Sequence, residues 1–370
     1  MTIKNIQNAT ISLAPYNNLT QEFKEYLESH YHKEIITFFD NNPKNRDTVS
    51  YHNSSIPKSD FVIVISPNYF KEITKELLKN SFTKEQILYA IYLPKKDAYT
   101  FTSSPLLYHL RYQLILLQRK YVHYTNLAYF KIWKLKNKHT NKRAFIIGNG
   151  PSLKIDDLTK LQNEITFAAN KIYLSFKSTP WRPSYYFVID KLVYTQNYET
   201  IKNLKLKKFF SIDMIHIAPK IKNAHYFEIE TKHGYPKMPS FHANPFKGVN
   251  KGNTVVYAMA EFAVYMGIKE LYFIGMDFNF IVNETPTLQY TNQTLCAGEI
   301  NHFHPEYRQI GEKWNKPNMQ GLHNSFEKIK SYCKEHNIKV YNATRGGKLE
   351  ILERVDFDKL FEENKAQTGR

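Results

Sequence analysis

The chain has 370 residues, 42% of them hydrophobic, which is enough to bury a substantial core and predicts two domains. Its 51 lysines and arginines outnumber 34 acidic residues. The net charge of +17 indicates an anionic partner: a nucleotide-activated substrate, a nucleic acid or an anionic membrane surface. Two cysteines exclude a disulfide framework, and no apolar run is long enough to cross a bilayer. Because no signal peptide follows Met1, we expect a cytoplasmic protein, soluble or peripheral on the inner membrane.

Residues 1–97 alternate short apolar runs with helical patterns, as a small doubly wound α/β domain does. The predicted strands are residues 9–13, 34–39, 61–66 and 86–93, and the predicted helices are residues 20–30 and 68–80. Asp40 closes the second strand, where ribose-binding folds place an acid, but the first loop at residues 14–17 has no glycine. We therefore predict a degenerate Rossmann-like domain that positions the rest of the chain or oligomerises; nucleotide binding there is the lesser alternative.

Residues 98–155 contain no acidic side chain but many basic ones. Leucines and tyrosines recur at helical spacing, at Leu107, Leu110, Leu114, Leu117, Tyr121 and Tyr124, and predict a long helix from about Ser104. We expect residues 98–140 to form a basic helical linker packed on both domains. The alternative is a basic, aromatic surface that rests on anionic lipid.

Residues 141–370 alternate again, and four predicted strands stop on small or polar residues. These stops are Gly148-Asn149-Gly150-Pro151-Ser152, Asn170, Asp190 and Gly275-Met276-Asp277. The carboxyl ends of parallel strands share one edge, where ligands bind, so we predict a nucleotide site there. The two glycines of the first stop let the backbone approach a phosphate or ribose, although their spacing matches neither the dinucleotide fingerprint nor the P-loop.

Two further segments carry groups suited to an anion. Asn253 or Thr254 caps a predicted helix at residues 255–266, whose positive end can face a phosphate. Arg345 lies beside a glycine turn that ends the predicted strand at residues 338–342, and its guanidinium could meet a phosphate or carboxylate.

The segments 148–153 and 267–278, together with Asn170, resemble the small bacterial sialyltransferases that use CMP-activated sialic acid. They also resemble the catalytic domain of motility-associated flagellin glycosyltransferases, and the resemblance covers roughly residues 141–350. It implies a glycosyltransferase A-like, Rossmann-like domain with a predominantly parallel sheet. It also implies a CMP-sugar donor bound without metal or cofactor, and a hydroxyl acceptor on a glycan, glycolipid or glycoprotein of the bacterial surface, such as lipooligosaccharide or capsule.

The resemblance also implies roles for individual residues. We predict that the donor nucleotide binds at Gly148, Asn149, Gly150, Ser152, Asn170, Asp190, Asn253, Thr254 and Asp277. The family has a phosphate-binding tyrosine just after its Gly-x-Asp-Phe motif, where this chain has Asn279. We expect Tyr290 or Tyr307 to substitute for it, with Arg345 as a further phosphate-stabilising group. The family's catalytic histidine lies before the last helix, which makes His302 the first candidate and His304 the second.

The chemistry fits these residue types. A histidine that titrates near neutrality can take a proton from the acceptor hydroxyl, and tyrosine hydroxyls or a helix N-terminus can stabilise the departing phosphate. A single displacement would invert the anomeric centre. The Asp-x-Asp sequence at Asp356-Phe-Asp358 lies near the C-terminus, where it is typical of a solvated helix start. The pair His302 and His304 lacks a third ligand at metal spacing, so we predict no metal site.

Other interpretations remain open. A 6-hydroxymethylpterin diphosphokinase-like enzyme shares the glycine pattern and would use ATP with magnesium held by Asp190 and Asp277. An enzyme of the same fold could use another activated sugar. The 27 tyrosines and 25 phenylalanines raise nucleic-acid binding, but no recognised module is present, so we expect no nucleic-acid partner. A homo-oligomer is compatible with the sequence.

Overall fold

The computed structural model describes residues 9–15, 20, 23–24, 26–28, 35, 37–40, 48–50, 59–66, 69–80, 82–93, 98–125, 127–216, 218–230, 237–281 and 293–362. The chain divides into two compact units, Met1–Val122 and His123–Arg370. The boundary between them falls inside the stretch predicted as a linker.

The N-terminal unit contains a six-stranded sheet. Its strands are β1 (Ile11–Ala14), β2 (Thr37–Asp40), β3 (Thr48–Ser50), β4 (Phe61–Val64), β5 (Ile87–Leu93) and β6 (Ala98–Thr102). The order is β3-β2-β1-β4-β5-β6, and all neighbours are parallel except β5 and β6. Alternate residues supply a core on each face of the sheet. The predicted doubly wound α/β fold is confirmed, and β6 extends the sheet into the stretch predicted as linker.

The N-terminal unit contains α1 (Phe70–Lys79), and α2 (Pro105–Thr125) crosses the boundary between the two units. Helix α3 (Leu127–Trp133) follows in the C-terminal unit. The helix predicted from about Ser104 is present as α2, and its residues Leu107, Leu110, Leu114 and Leu117 are exposed. Tyr108 of α2 is buried, in edge contact with Phe70. Since successive residues of a helix point about 100° apart, burying the side of Tyr108 leaves the leucine stripe outside.

The C-terminal unit contains an eight-stranded, wholly parallel sheet. Its strands are β7 (Arg143–Ile147), β8 (Ile165–Ala169), β9 (Tyr185–Val188), β10 (Lys208–Ser211), β11 (His225–Phe227), β14 (Glu270–Ile274), β17 (Lys339–Asn342) and β18 (Glu353–Arg354). The order is β11-β10-β9-β8-β7-β14-β17-β18. Two small sheets pair β12 (Ile229–Glu230) with β13 (Val249–Asn250) and β15 (Gln293–Leu295) with β16 (Lys313–Asn315). The predicted Rossmann-like fold with a predominantly parallel sheet is confirmed.

Helices cover both faces of this sheet. They are α4 (Ile155–Lys160), α5 (Lys191–Gln196), α6 (Tyr198–Asn203), α7 (Val255–Tyr265) and α8 (Met319–Glu335). Helix α7 is apolar nearly all round and almost wholly buried, so it lies in the core between the sheet and α8. The strand order reverses at β7, because β8 lies on one side of it and β14 on the other. Open α/β sheets bind ligands in the crevice at such a reversal.

In the described part of the chain, no helix combines the length and the apolar character that a membrane span needs.

Candidate active site

A cavity of about 150 Å³ opens at the carboxyl ends of β7, β8 and β14, where the strand order reverses. Eight of the residues predicted from the sequence line it: Gly148, Asn149, Gly150, Asn170, Thr254, Asp277, His302 and Tyr307. An apolar wall completes the lining, with Val255, Val256, Met276, Phe278, Leu322 and Phe326. The parallel sheet therefore brings together most of the strand ends that the sequence singles out.

The glycine loop after β7 packs directly on the loop after β14. The amide of Gly148 donates to the carbonyl of Ile274 at 2.8 Å, and that of Gly150 donates to the carbonyl of Gly275 at 3.0 Å. A Cβ at Gly150 would lie 1.9 Å from Oδ2 of Asp277, well inside van der Waals contact. Glycine is required at position 150 because a side chain there would collide with the loop after β14.

Ser152 lies outside the cavity lining and acts on it through Asp277. Its hydroxyl donates to Oδ2 of Asp277 at 2.8 Å. The same carboxylate oxygen accepts the backbone N–H of Ser152 at 3.3 Å. Asp277 thus ties the two loops together while it remains part of the cavity wall.

Two amide side chains at the cavity have unpartnered oxygens. The amide nitrogen of Asn149 donates to the carbonyl of Ala169 at 3.0 Å and to the hydroxyl of Tyr307 at 3.2 Å. Among the described residues, Oδ1 of Asn149 and Oδ1 of Asn170 are both buried without a hydrogen-bond partner. Buried polar atoms are seldom left unpaired, so N–H or O–H groups of a ligand are the natural partners for these oxygens.

The N-terminus of α7 reaches the same cavity. Thr254 caps the helix, its hydroxyl accepting the N–H of Val256 at 3.3 Å. Because Thr254, Val255 and Val256 all line the cavity, the positive end of the helix dipole faces it. Asn253 does not line the cavity; its side chain packs on Gly321, where a Cβ would lie 2.5 Å from Nδ2.

His302 is held by a buried carboxylate. Oε1 of Glu299 lies 3.0 Å from Nδ1 of His302 and also accepts the backbone N–H of Asn301 at 2.7 Å. Burial raises the pKa of Glu299, but His302, Arg308 and the Asn301 N–H together bring it below its ordinary value. An ionised carboxylate can only accept, so Nδ1 carries the proton and Nε2 carries the lone pair.

The environment of His302 keeps the imidazole neutral. Burial lowers the pKa of His302, and this outweighs Glu299, which acts in the opposite direction. The ring stacks on Tyr307, with centroids 3.7 Å apart. Burial also raises the pKa of Tyr307 to about 12, so its hydroxyl stays protonated and can donate to a ligand. The site therefore offers a neutral base beside a hydroxyl donor.

The segment that carries these groups is fixed to the strand-end loops. The backbone N–H of Phe303 donates to the carbonyl of Asn149 at 2.9 Å. The buried side chain of Asn301 pairs with the backbone of Ile281, accepting from its N–H at 2.7 Å and donating to its carbonyl at 2.8 Å. These contacts place His302 opposite the glycine loop.

Glu299 and Asn301 are functional candidates that the sequence alone does not indicate. Both lie in a polar loop without periodicity. The one signal available was the spacing Glu-x-x-His, which is too common to distinguish a functional pair from a solvated loop.

Two other predicted residues, Asp190 and His304, do not line the cavity. Asp190 caps α5 through Leu192 and accepts from Nδ2 of Asn315 at 2.9 Å, and it does not line the cavity. His304 caps the short helix Pro305–Tyr307 and is also absent from the lining. Tyr290 falls outside the described residues.

Arg345 also lies outside the lining and is committed to two carboxylates. It binds Asp157 through two hydrogen bonds of 2.8 and 2.9 Å, and Asp358 through one of 2.7 Å. These contacts hold its guanidinium between α4 and the C-terminal segment. Among the described residues, no group of three or more histidine, cysteine, aspartate or glutamate side chains is arranged to hold a metal ion.

Comparison with known proteins gives two similarities. Residues 121–283, which are 163 of 370, match a family model described as MptE-like, 6-hydroxymethylpterin diphosphokinase MptE-like. A solved structure, the MAf glycosyltransferase from Magnetospirillum magneticum AMB-1, is 12% identical with a TM-score of 0.38, and the match covers 81% of this chain and 54% of that chain. The chain thus spans about half the length of that protein. No curated protein matches.

Proposed function

We propose that the protein is an inverting glycosyltransferase that moves a sialic acid or related nonulosonic acid from a CMP-activated donor to an acceptor hydroxyl. The observation that carries the proposal is the pair Glu299 and His302, which places a neutral, oriented imidazole in a cavity that also receives a helix N-terminus. A base beside an anion site is what transfer from a nucleotide sugar requires.

The nucleotide would bind at the carboxyl ends of β7 and β8. The two unpartnered oxygens of Asn149 and Asn170 suit the ribose hydroxyls or the exocyclic amine of cytosine, which are donors. The backbone of Gly148 and Gly150 permits close approach, and the apolar wall with Met276 and Phe326 suits the face of a base. The phosphate would lie toward Thr254 and the first turn of α7.

Transfer would then take one step. Nε2 of His302 removes the proton from the acceptor hydroxyl as its oxygen bonds to the anomeric carbon, and Glu299 stabilises the imidazolium that forms. The bond from the anomeric carbon to the phosphate oxygen breaks, and its electron pair leaves with CMP. The Tyr307 hydroxyl and the N–H groups of α7 stabilise the charge on that phosphate. Attack opposite the leaving group inverts the anomeric centre.

The family match favours a second candidate, a diphosphokinase acting on 6-hydroxymethylpterin with ATP and magnesium. The matched residues include the glycine loop, Thr254 and Asp277 but end before Glu299, so they cover the nucleotide side of the cavity and not its base. The carboxylates expected to hold magnesium are Asp190 and Asp277. The oxygens of Asp190 are occupied by the amides of α5 and by Asn315, which argues against this candidate.

A donor survey separates the two candidates. The protein is incubated with CMP-, UDP- and GDP-sugars, and with ATP plus 6-hydroxymethylpterin, each with and without EDTA, and nucleotide release is measured. We expect CMP release from CMP-sugars that EDTA leaves unchanged. Turnover of a UDP-sugar that EDTA abolishes, or AMP release with the pterin, would overturn the proposal.

A further inference from the structure

A basic and aromatic surface lies in the C-terminal unit, on α3 and on the segment that links α3 to β7. It consists of two exposed aromatic rings and four exposed lysines: Phe130, Trp133, Lys134, Lys136, Lys138 and Lys142. We call it the aromatic–lysine patch. Phe130 is 51% and Trp133 59% exposed, although the neighbouring Ile132 and Leu135 are buried.

This segment is held rigidly by the C-terminal end of α7. The N–H groups of Asn137, His139 and Asn141 donate to the carbonyls of Tyr265, Met266 and Gly267 at 3.1, 2.7 and 3.0 Å. The hydroxyl of Tyr265 donates to the carbonyl of Ile132 at 3.2 Å. The patch is therefore presented on a fixed backbone at one end of α7, while the cavity lies at the other end, roughly 17 Å away for 11 residues of helix.

The stretch of chain that carries the patch has no carboxylate of its own. No acidic residue occurs between residues 98 and 155. Lys207, from the chain before β10, is close enough to act on Lys138: burial lowers the pKa of Lys138 and Lys207 lowers it further. Packing like charges together has a cost that an anionic partner removes.

The aromatic rings indicate which anionic partner fits. Phe130 and Trp133 stack on each other, with centroids 5.9 Å apart and planes 16° from parallel. Nζ of Lys134 lies over Phe130, 4.5 Å from its ring centroid. The ring faces are thus partly covered, which disfavours stacking with nucleic-acid bases. Their exposed edges suit insertion among lipid headgroups, with lysine ammonium groups reaching the phosphates.

We propose that the aromatic–lysine patch docks the protein on an anionic lipid bilayer. The rings enter the headgroup region and the lysines bind lipid phosphates or carboxylates. Docking through this patch leaves the cavity at the end of α7 remote from the lipid.

Vesicle binding tests the proposal with the full chain. Vesicles of phosphatidylcholine, with and without phosphatidylglycerol, are mixed with the protein and sedimented, and tryptophan emission is recorded. Trp181 and Trp314 are 1% and 8% exposed, so a change in emission reports mainly on Trp133. We expect binding only to the anionic vesicles, with emission shifted to shorter wavelength as Trp133 leaves water.

Matched variants locate the contact. The triple variant Lys134→Gln, Lys136→Gln, Lys138→Gln should lower the partition coefficient about 100-fold, since each lysine near an anionic surface contributes about fivefold. The control variant Lys328→Gln, Lys330→Gln, Lys334→Gln removes the same charge from α8 and should bind as the parent does. Trp133→Phe should keep binding and lose the emission shift.

Three results would overturn the proposal. One is failure to sediment with anionic vesicles, and another is equal binding to both vesicle types. The third is binding of a single-stranded oligonucleotide that the lysine variant loses while vesicles are not bound, which would assign the patch to nucleic acid.

Discussion

The imidazole of His302 lies flat against the phenol ring of Tyr307, with centroids 3.7 Å apart and planes 8° from parallel. This stack fixes the plane of the imidazole, and the hydrogen bond from Nδ1 to Glu299 fixes its rotation within that plane. The hydroxyl of Tyr307 in turn lies 3.2 Å from the amide nitrogen of Asn149. One stacked pair therefore joins the proposed base to the proposed nucleotide site.

The pH dependence of transfer should show a single acid limb. Only the neutral imidazole can accept a proton, and burial lowers the pKa of His302 from its ordinary value of about 6.5. Transfer should therefore rise with pH through a midpoint below that value and be constant around neutrality. Initial rates at low donor concentration across the acid range give kcat/KM. A midpoint above the ordinary histidine value would argue against His302 as the base.

Glu299→Gln should lower kcat and move the acid limb to still lower pH. The amide oxygen can still accept from Nδ1, but the charge that raises the pKa of His302 and stabilises its imidazolium is lost. Removing the base itself is expected to lower kcat about 10²–10⁴-fold. The loss of kcat in Glu299→Gln should be smaller than that. Glu306→Gln, on the exposed part of the same loop, is the matched control. An unchanged pH profile would make Glu299 a purely structural residue.

Gly150→Ala should destabilise the protein and abolish nucleotide binding. The added methyl would lie 1.9 Å from Oδ2 of Asp277 and 2.8 Å from the backbone carbonyl oxygen of Gly275, so the loops after β7 and β14 must move apart. Overpacking of this kind typically costs about 1–3 kcal/mol in free energy of unfolding. Denaturant unfolding and calorimetry with CMP measure the two effects. Ser152→Ala removes only one hydrogen bond to Asp277 and should retain CMP binding. Parental CMP affinity in Gly150→Ala would show that the loop does not hold the nucleotide.

Arg345→Ala should lower the melting temperature and leave CMP affinity unchanged. Its guanidinium is bound to Asp157 and Asp358 and lies outside the cavity lining. Asp157→Asn, which weakens the same network, should have a similar thermal effect. A loss of CMP affinity with little change in melting temperature would instead restore the phosphate role that the sequence suggested for Arg345.

Much of the fold follows from the sequence because parallel strands have a simple signature. Short β-branched runs that end on Gly148, Asn170 and Gly275 predict strands, and a parallel sheet must bring their carboxyl ends to one edge. Asp190 follows β9, which is two strands from β7, and its side chain turns to the amides of α5. Residues at the same edge of a sheet therefore need not line the same cavity. The order of the strands in the sheet cannot be predicted from the residues at the strand ends alone.

Other parts of the site depend on tertiary contacts that local sequence patterns do not predict. Glu299 is identified only when the loop folds back and buries its carboxylate beside His302 and Arg308. The glycine turn beside Arg345 indicates a phosphate site, because a cation beside such a turn commonly binds an anion. The partner of Arg345, Asp157, is 188 residues away along the chain, and such long-range pairs are invisible to local patterns.

The most direct test of the account measures CMP binding and sugar transfer side by side in His302→Ala and His304→Ala. We predict that both variants bind CMP with a Kd close to that of the parent. Transfer should fall by about 10²–10⁴-fold in His302→Ala and stay near normal in His304→Ala, whose ring does not line the cavity. Parental transfer by His302→Ala, or no CMP binding by the parent protein, would contradict the account.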